Sequence, residues 1–176
     1  VLTVSSSSVV VGSPITVTLS NGLGGSQDWL AFADVNAANN TYVQFVYVGA
    51  GVTTRTWTVT APSTPGTYEF RLFRQGSFVR GATSPSVTVE AAPPVLAVSA
   101  SSVPGGQSVT VTLTNGQGGS LDFLSFGATG AAVNAYLQFV YVGAGVTTRT
   151  WTVTAPNTAG TYEFRLFKQG SFVRLA

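Results

Sequence analysis

The chain contains no cysteine, no histidine and no methionine, and each absence closes off a class of chemistry. Without cysteine there is no disulfide to staple a small fold and no thiolate metal site. Without histidine the usual general base of neutral pH is missing, and with it nearly all zinc sites. Methionine is missing even at position 1, which marks a processed chain or a fragment, and no basic-then-apolar leader is present. Charge is scarce as well: Lys, Arg, Asp and Glu make up 8% of the residues, eight basic against six acidic. The basic residues are scattered rather than clustered, so the chain lacks the electrostatic footprint of a nucleic-acid binder. No apolar run approaches the ~18–20 residues of a helical membrane span, and Gly49 and Gly51 interrupt the most apolar stretch. Neither nucleic acid nor membrane insertion is expected.

What the chain does contain, it contains twice. Residues 1–82 recur at 95–176 with a constant offset of 94; Gln44 to Pro62 returns letter for letter as Gln138 to Pro156, and Gly66 to Phe73 as Gly160 to Phe167. A repeat of this length is a whole folding unit, larger than the 20–50 residues of a solenoid module. The expected organisation is one domain over 1–90, a Pro-rich linker over 91–94 and a second domain over 95–176. The linker's Pro93-Pro94 favours extended geometry and stops a sheet interior.

Within each copy the period is two. Pro14–Leu19 alternates Ile15, Val17 and Leu19 with threonines, and Arg55–Thr60 alternates Trp57 and Val59 with threonines, as half-buried antiparallel strands do. Thr41–Val48 and Thr67–Phe73 are richer in aromatics and are expected to be central. Asn21-Gly22, Gly49-Ala50-Gly51, Pro62 to Gly66 and Gln75-Gly76 supply the turns. No helical period survives over ten residues. Seven or eight short strands per copy predict an all-β fold of two tandem immunoglobulin-like antiparallel β-sandwiches. Tyr68 and Tyr162, each opening a strand after a turn, suit a tyrosine corner whose hydroxyl bonds back to the connecting backbone.

These residues also carry a resemblance. Asp28-Trp29-Leu30, the aromatic strand Tyr42–Tyr47, the Thr-Trp-Thr-Val-Thr-Ala-Pro strand and Gly66–Phe73 followed by Phe78-Val79-Arg80 resemble the immunoglobulin-like repeats of secreted bacterial multidomain proteins. More distantly they resemble the SKICH-type sandwich. The resemblance implies an extracellular or cell-surface, non-catalytic module serving as spacer, adhesive or accessory carbohydrate-binding unit. Copy two carries Phe123 where copy one has Trp29.

One difference between the copies stands out. Copy one continues into Thr83–Glu90, where Val87 and Val89 alternate with polar neighbours, whereas Ala176 is the equivalent of Ala82. The second sandwich is therefore expected to lack its last strand, leaving a costly, sticky edge. Three readings stay open: a boundary inside a longer array, complementation by a neighbour's strand, or a sandwich that tolerates one strand fewer. Under the second, the acceptor edge is placed at Phe172, Val173 and Arg174.

Candidate chemistry is thin. Of the acidic residues only Asp28/Asp122 and Glu69/Glu163 occur at matching places, and neither catalysis nor a cofactor is expected from them. Glu69 and Arg71 share a strand face, where Arg55 or Arg80 could join them in a solvated charge ladder. Asp34 to Asn40 offers oxygen ligands of the kind calcium takes, but copy two loses most of those donors, so a hydrophilic loop without a metal is favoured; Asn39-Asn40-Thr41 matches the glycosylation sequon. Trp29, Tyr42, Tyr47 and Phe78, with Phe172 in copy two, could form a stacking platform or interface. The expected function is a structural or adhesive repeat of a fibre, stalk or surface protein, partnered by its own kind or by neighbouring repeats, with head-to-tail strand complementation as one open mode of joining; a carbohydrate-binding module with a glycan partner is the alternative.

Overall fold

The computed structural model describes all 176 residues and contains strands and turns but no helix. It divides into two compact units, Val1–Ala92 and Pro93–Ala176.

Unit 1 is a sandwich of two sheets. The smaller is β1 (Leu2–Val4), β3 (Pro14–Leu19) and β6 (Arg55–Thr60), in the order β1-β3-β6. The larger runs β2 (Ser8–Val10), β9 (Val87–Glu90), β7 (Gly66–Phe73), β4 (Trp29–Asp34), β5 (Gln44–Tyr47), with β8 (Arg80–Thr83) added beside β7. Period-two alternation produces the core: Ile15, Val17, Leu19 and Val59 from one sheet meet Leu30, Phe32, Phe70, Leu72, Val87 and Val89 from the other, all of them buried. The opening segment switches sheets within a few residues. Leu2–Val4 pairs antiparallel with β3, then Ser8–Val10 pairs with β9 in parallel, a departure from the purely antiparallel pattern expected.

Unit 2 repeats the smaller sheet as β10 (Val95–Val98), β11 (Ser108–Thr114) and β14 (Arg149–Thr154), and keeps three strands of the larger one: β12 (Phe123–Ala128), β13 (Gln138–Tyr141) and β15 (Tyr162–Phe167). Nothing in unit 2 stands where β9 stands in unit 1. The counterpart of β2, Ser102–Pro104, forms no strand either. Its only pairing partner would be that absent strand. The molecule is thus two tandem immunoglobulin-like sandwiches, the second with fewer strands in its larger sheet.

One expectation about strands needs revising. Gln44–Tyr47 lies at the sheet edge, paired with β4 alone; its aromatics reflect an exposed face, not a central place. Gly66–Phe73 is central as expected, between β9 and β4, and Trp29–Asp34, apolar on both sides and flanked by β5 and β7, is central as well. The tyrosine corners are present in both units: Tyr68 Oη donates to Thr64 O and Tyr162 Oη to Thr158 O, each at 2.9 Å.

Candidate functional site

The outer face of the larger sheet carries the most unusual surface of each unit. Along β4 the residues facing away from the core are Trp29, Ala31 and Ala33, and along β7 they are Glu69, Arg71 and Phe73. Small alanines leave room for large neighbours. Trp29 stacks on Phe73 with ring centroids 4.4 Å apart, and the two form a small second core with Ala31. Around this floor stand Tyr42, Phe45 and Phe78, meeting Trp29 edge-on at 5.4, 6.0 and 5.7 Å. Tyr47 continues the row beside Phe45. Phe45, Tyr47 and Phe78 are each about half exposed or more, joined by Val43 and Val79.

Unit 2 rebuilds the same face on Phe123, stacked on Phe167 at 5.0 Å and ringed by Tyr136, Phe139 and Phe172. The smaller ring at position 123 loosens the ring of neighbours. Tyr136 stands 6.3 Å from it, where Tyr42 stands 5.4 Å from Trp29. It also gives up the hydrogen bond that Trp29 Nε1 donates to Ser77 O.

Of the residues singled out from sequence, Tyr42, Phe78 and Phe172 are exposed on this face; Trp29 is only 5% exposed and is the floor on which they rest. Phe45 and Phe139 were missed. Period two placed them opposite Val46 and Val140, and that alternation at an edge strand was the available signal.

Beside the aromatic face the strand charges do not form the solvated ladder expected from their spacing. Arg71 is fully buried. Its Nε donates to Glu69 Oε1 at 2.7 Å, Nη1 to Ala38 O at 3.1 Å and Nη2 to Asp34 O at 2.8 Å. A buried guanidinium is tolerated only when its donors are met, and here the loop carbonyls meet them. Arg80 joins Glu69 at 3.0 Å, whereas Arg55 turns away to Val48 O. Arg165 repeats the arrangement with Glu163, Ala132 O and Ala128 O. Partial burial pushes the Glu163 carboxyl up, but the hydrogen bond and charge of Arg165, with the charge of Arg174, outweigh it and hold the group below its ordinary 4.5.

This cage accounts for the loop that offered calcium-type ligands. Its backbone carbonyls are turned onto Arg71, and the Asp34 carboxylate accepts from Asn36 N–H at 2.8 Å. Asn39, the sequon residue, donates to Phe78 O and accepts from Arg80 Nε, which ties the loop to the aromatic face. Asp28 is also structural. Buried, it accepts from Gly25 N–H at 3.1 Å and Gln75 N–H at 3.0 Å, so it clamps two loops; Asp122 does the same with Gly119 and Gln169. A Cβ on Gly25 would collide with that carboxylate.

The acceptor edge expected at Phe172, Val173 and Arg174 is not where the missing strand belongs. That segment folds onto β15 as β8 folds onto β7: Lys168 N–H donates to Val173 O at 3.0 Å and Leu175 N–H to Leu166 O at 2.8 Å. The reason is register. In unit 1, β8 pairs with Arg71–Phe73 while β9 pairs further back, with Gly66–Tyr68.

No protein-family model matches the chain, and no curated protein does. Among solved structures it is similar to the human OSCAR ligand-binding domain (16% identity over 99% of this chain and 91% of that one, TM-score 0.37). It is similar also to the Escherichia coli adhesin FdeC (21% identity over 96% of this chain and 58% of that one, TM-score 0.38). A third is the BSP domain of a biofilm associated protein (16% identity, 97% of this chain and 27% of that one, TM-score 0.32). The chain spans little more than half of the solved adhesin chain and about a quarter of the solved BSP-domain chain. Likenesses this distant carry no argument, and the fold rests on the strand order itself.

Proposed function

We propose that the chain works as a non-catalytic structural or adhesive repeat of an extracellular fibre, stalk or surface protein, making its contacts through the aromatic faces. The observation that supports this is the duplicated half-exposed aromatic surface: Phe45, Tyr47 and Phe78 in one unit, Phe139, Tyr141 and Phe172 in the other. Contiguous exposed apolar surface of this kind marks interaction sites on water-facing proteins. The nearby charges are committed to each other and to main-chain carbonyls, and low overall charge weakens repulsion between copies.

The alternative, a carbohydrate-binding module with a glycan partner, is favoured by one feature: edge-on packing leaves the outer rings free to stack against sugar C–H faces. Sedimentation of the chain with Phe45, Phe78, Phe139 and Phe172 all replaced by serine separates the two. The proposal expects concentration-dependent association of the unaltered chain that the quadruple variant loses while keeping its far-ultraviolet spectrum. Monodisperse monomers at high concentration overturn it, and saturable glycan-array binding abolished by Phe78→Ala would establish the alternative. Trp29→Ala is no test of either, because it removes the floor.

A further inference from the structure

β5 is the end strand of the larger sheet in unit 1, bonded to β4 alone, and β13 has the same place beside β12 in unit 2. Both read Gln-Phe-Val-Tyr. Which of their backbone groups stay free follows from two hydrogen bonds: Val48 N–H donates to Asp28 O at 2.8 Å and Val35 N–H to Thr67 O at 3.1 Å. Strand alternation then turns the even-numbered residues of β4 toward β5 and the odd-numbered ones toward β7. Gln44 and Val46 are accordingly bonded inward, whereas the N–H and C=O of Phe45 and Tyr47 point away from the sheet, and no hydrogen bond of the chain meets them. In unit 2, Val142 N–H to Asp122 O at 2.7 Å and Thr129 N–H to Thr161 O at 2.9 Å leave Phe139 and Tyr141 free in the same way.

Sheet edges are ordinarily guarded against one another by a charge, a proline or a covering segment. Here neither charge nor proline occurs between Asp34 and Arg55, or between Asp122 and Arg149. The side chains that accompany the free groups are the rings of Phe45 and Tyr47, 50% and 57% exposed on the outer face. The edge therefore offers donors, acceptors and apolar rings, and nothing in it repels a like strand.

We infer that β5 and β13 are pairing edges, and that the occupant of each is the same edge of a second copy, joined antiparallel. The inference rests on the reading of the chain as a repeat that associates with its own kind at the aromatic faces, and it names the atoms and the register. A register shifted by one residue sets outward rings against core side chains. Phe45 against Phe45 needs the Val43 N–H, which is already donated to Phe32 O at 2.8 Å; Tyr47 against Tyr47 sets Phe45 against Gly49, whose φ of 104° lies outside a strand. Phe45 against Tyr47 is the register that remains. It is self-complementary, because the pair recurs across a two-fold axis and meets every free N–H and C=O of both residues in both copies. Each Phe45 ring then lies beside Tyr47 of the second copy, and two aromatic faces become one surface. With β13 equipped alike, a chain pairs at both edges, so association continues past the dimer.

The test follows amide hydrogen exchange of the 176-residue chain from dilute to millimolar concentration. The amides of Phe45, Tyr47, Phe139 and Tyr141 should slow by about tenfold when nine-tenths of the edges are paired, with Leu23 unchanged. A second arm compares Phe45→Pro with Phe139→Pro against Phe45→Thr with Phe139→Thr. Both pairs lose the rings, but only proline removes an outward N–H, and no bond within the chain is lost with it. The proline pair should associate about 100-fold more weakly than the threonine pair while keeping its far-ultraviolet spectrum. If the proline pair fails to fold, the exchange arm on the unaltered chain decides alone. Association that leaves the four amides unprotected overturns the inference and leaves the aromatic-face reading standing, as does equal association of the two variant pairs. Protection that needs an added foreign strand and ignores concentration also overturns it, by making the occupant something other than a second copy. Monomers at millimolar concentration overturn both.

Discussion

The two units are close to an internal experiment: the same corners, clamps and arginine cages on most of the same strands, with β2 and β9 present in one and absent in the other. Unit 1 shows what the strand contributes. It covers Tyr68 and Phe70, supplies two buried valines and gives Ser8–Val10 a partner. Unit 2 shows that the rest holds its arrangement without it, since Asp122, Tyr162 and Arg165 keep the bonds of Asp28, Tyr68 and Arg71. The smaller sheet and the aromatic face are therefore locally determined, whereas the first segment's second strand depends on a residue run more than 70 positions away. Strand pairing of that range has to repay a large loop-closure entropy before it stabilises anything.

Putting a charge into that seat should break the comparison most severely. Val89→Asp would bury an unpaired carboxylate in unit 1 and cost about 3–5 kcal/mol, enough to make unit 1 the less stable unit. Calorimetry resolving two transitions, with unit 2 unmoved, checks this. Glu163→Gln is the next largest. It removes the charged partner of the buried Arg165 and should destabilise unit 2 by about 1–2 kcal/mol at neutral pH.

The same variant carries a pH signature. Because the Glu163 carboxyl titrates below its ordinary 4.5 when folded, its contribution is present above that ordinary value. It is lost as pH falls through the lower folded value. Denaturant midpoints of the parent and Glu163→Gln chains should therefore converge in acid and separate above about pH 5. The smallest effect is expected at Ser125, whose buried hydroxyl has no partner where unit 1 has Ala31. Ser125→Ala should stabilise unit 2 by about 1 kcal/mol, and Ala31→Ser should cost unit 1 a similar amount.

Much of this fold was written in local pattern. Ile15, Val17 and Leu19 announce their strand by alternation, the turns by glycine and proline, and the duplication by plain identity. The corner tyrosines were legible because each opens a strand directly after a turn, a place that suits either a corner or a plain core ring. The edge position of Gln44–Tyr47 was not, because aromatic richness is shared by central strands and by exposed faces, and only pairing tells them apart. Arg71 was misread for a related reason. A charge two residues from an opposite charge describes a strand face, but not the loop that folds over it, and burial was decided by Asp34–Ala38 arriving from outside the strand. That unit 2 has no counterpart of β9 was visible, yet the place of that strand was set off by one half-strand. Val87–Glu90 pairs not where Arg80–Thr83 pairs but beyond the Ser84-Pro85 turn, and nothing in the letters states that offset.

The arginine cage has a bearing on how such a chain can diversify. Arg71 is held by the oxygens of residues 34 and 38, and Arg165 by those of 128 and 132, although the side chains around them differ, Asp34 against Ala128 and Asn39 against Val133. Because every amino acid brings the same carbonyl, the bend survives almost any rewriting of its letters. The side chains of this loop, beside the aromatic rings, are accordingly a place where new binding preferences could be sampled without remaking the sandwich beneath.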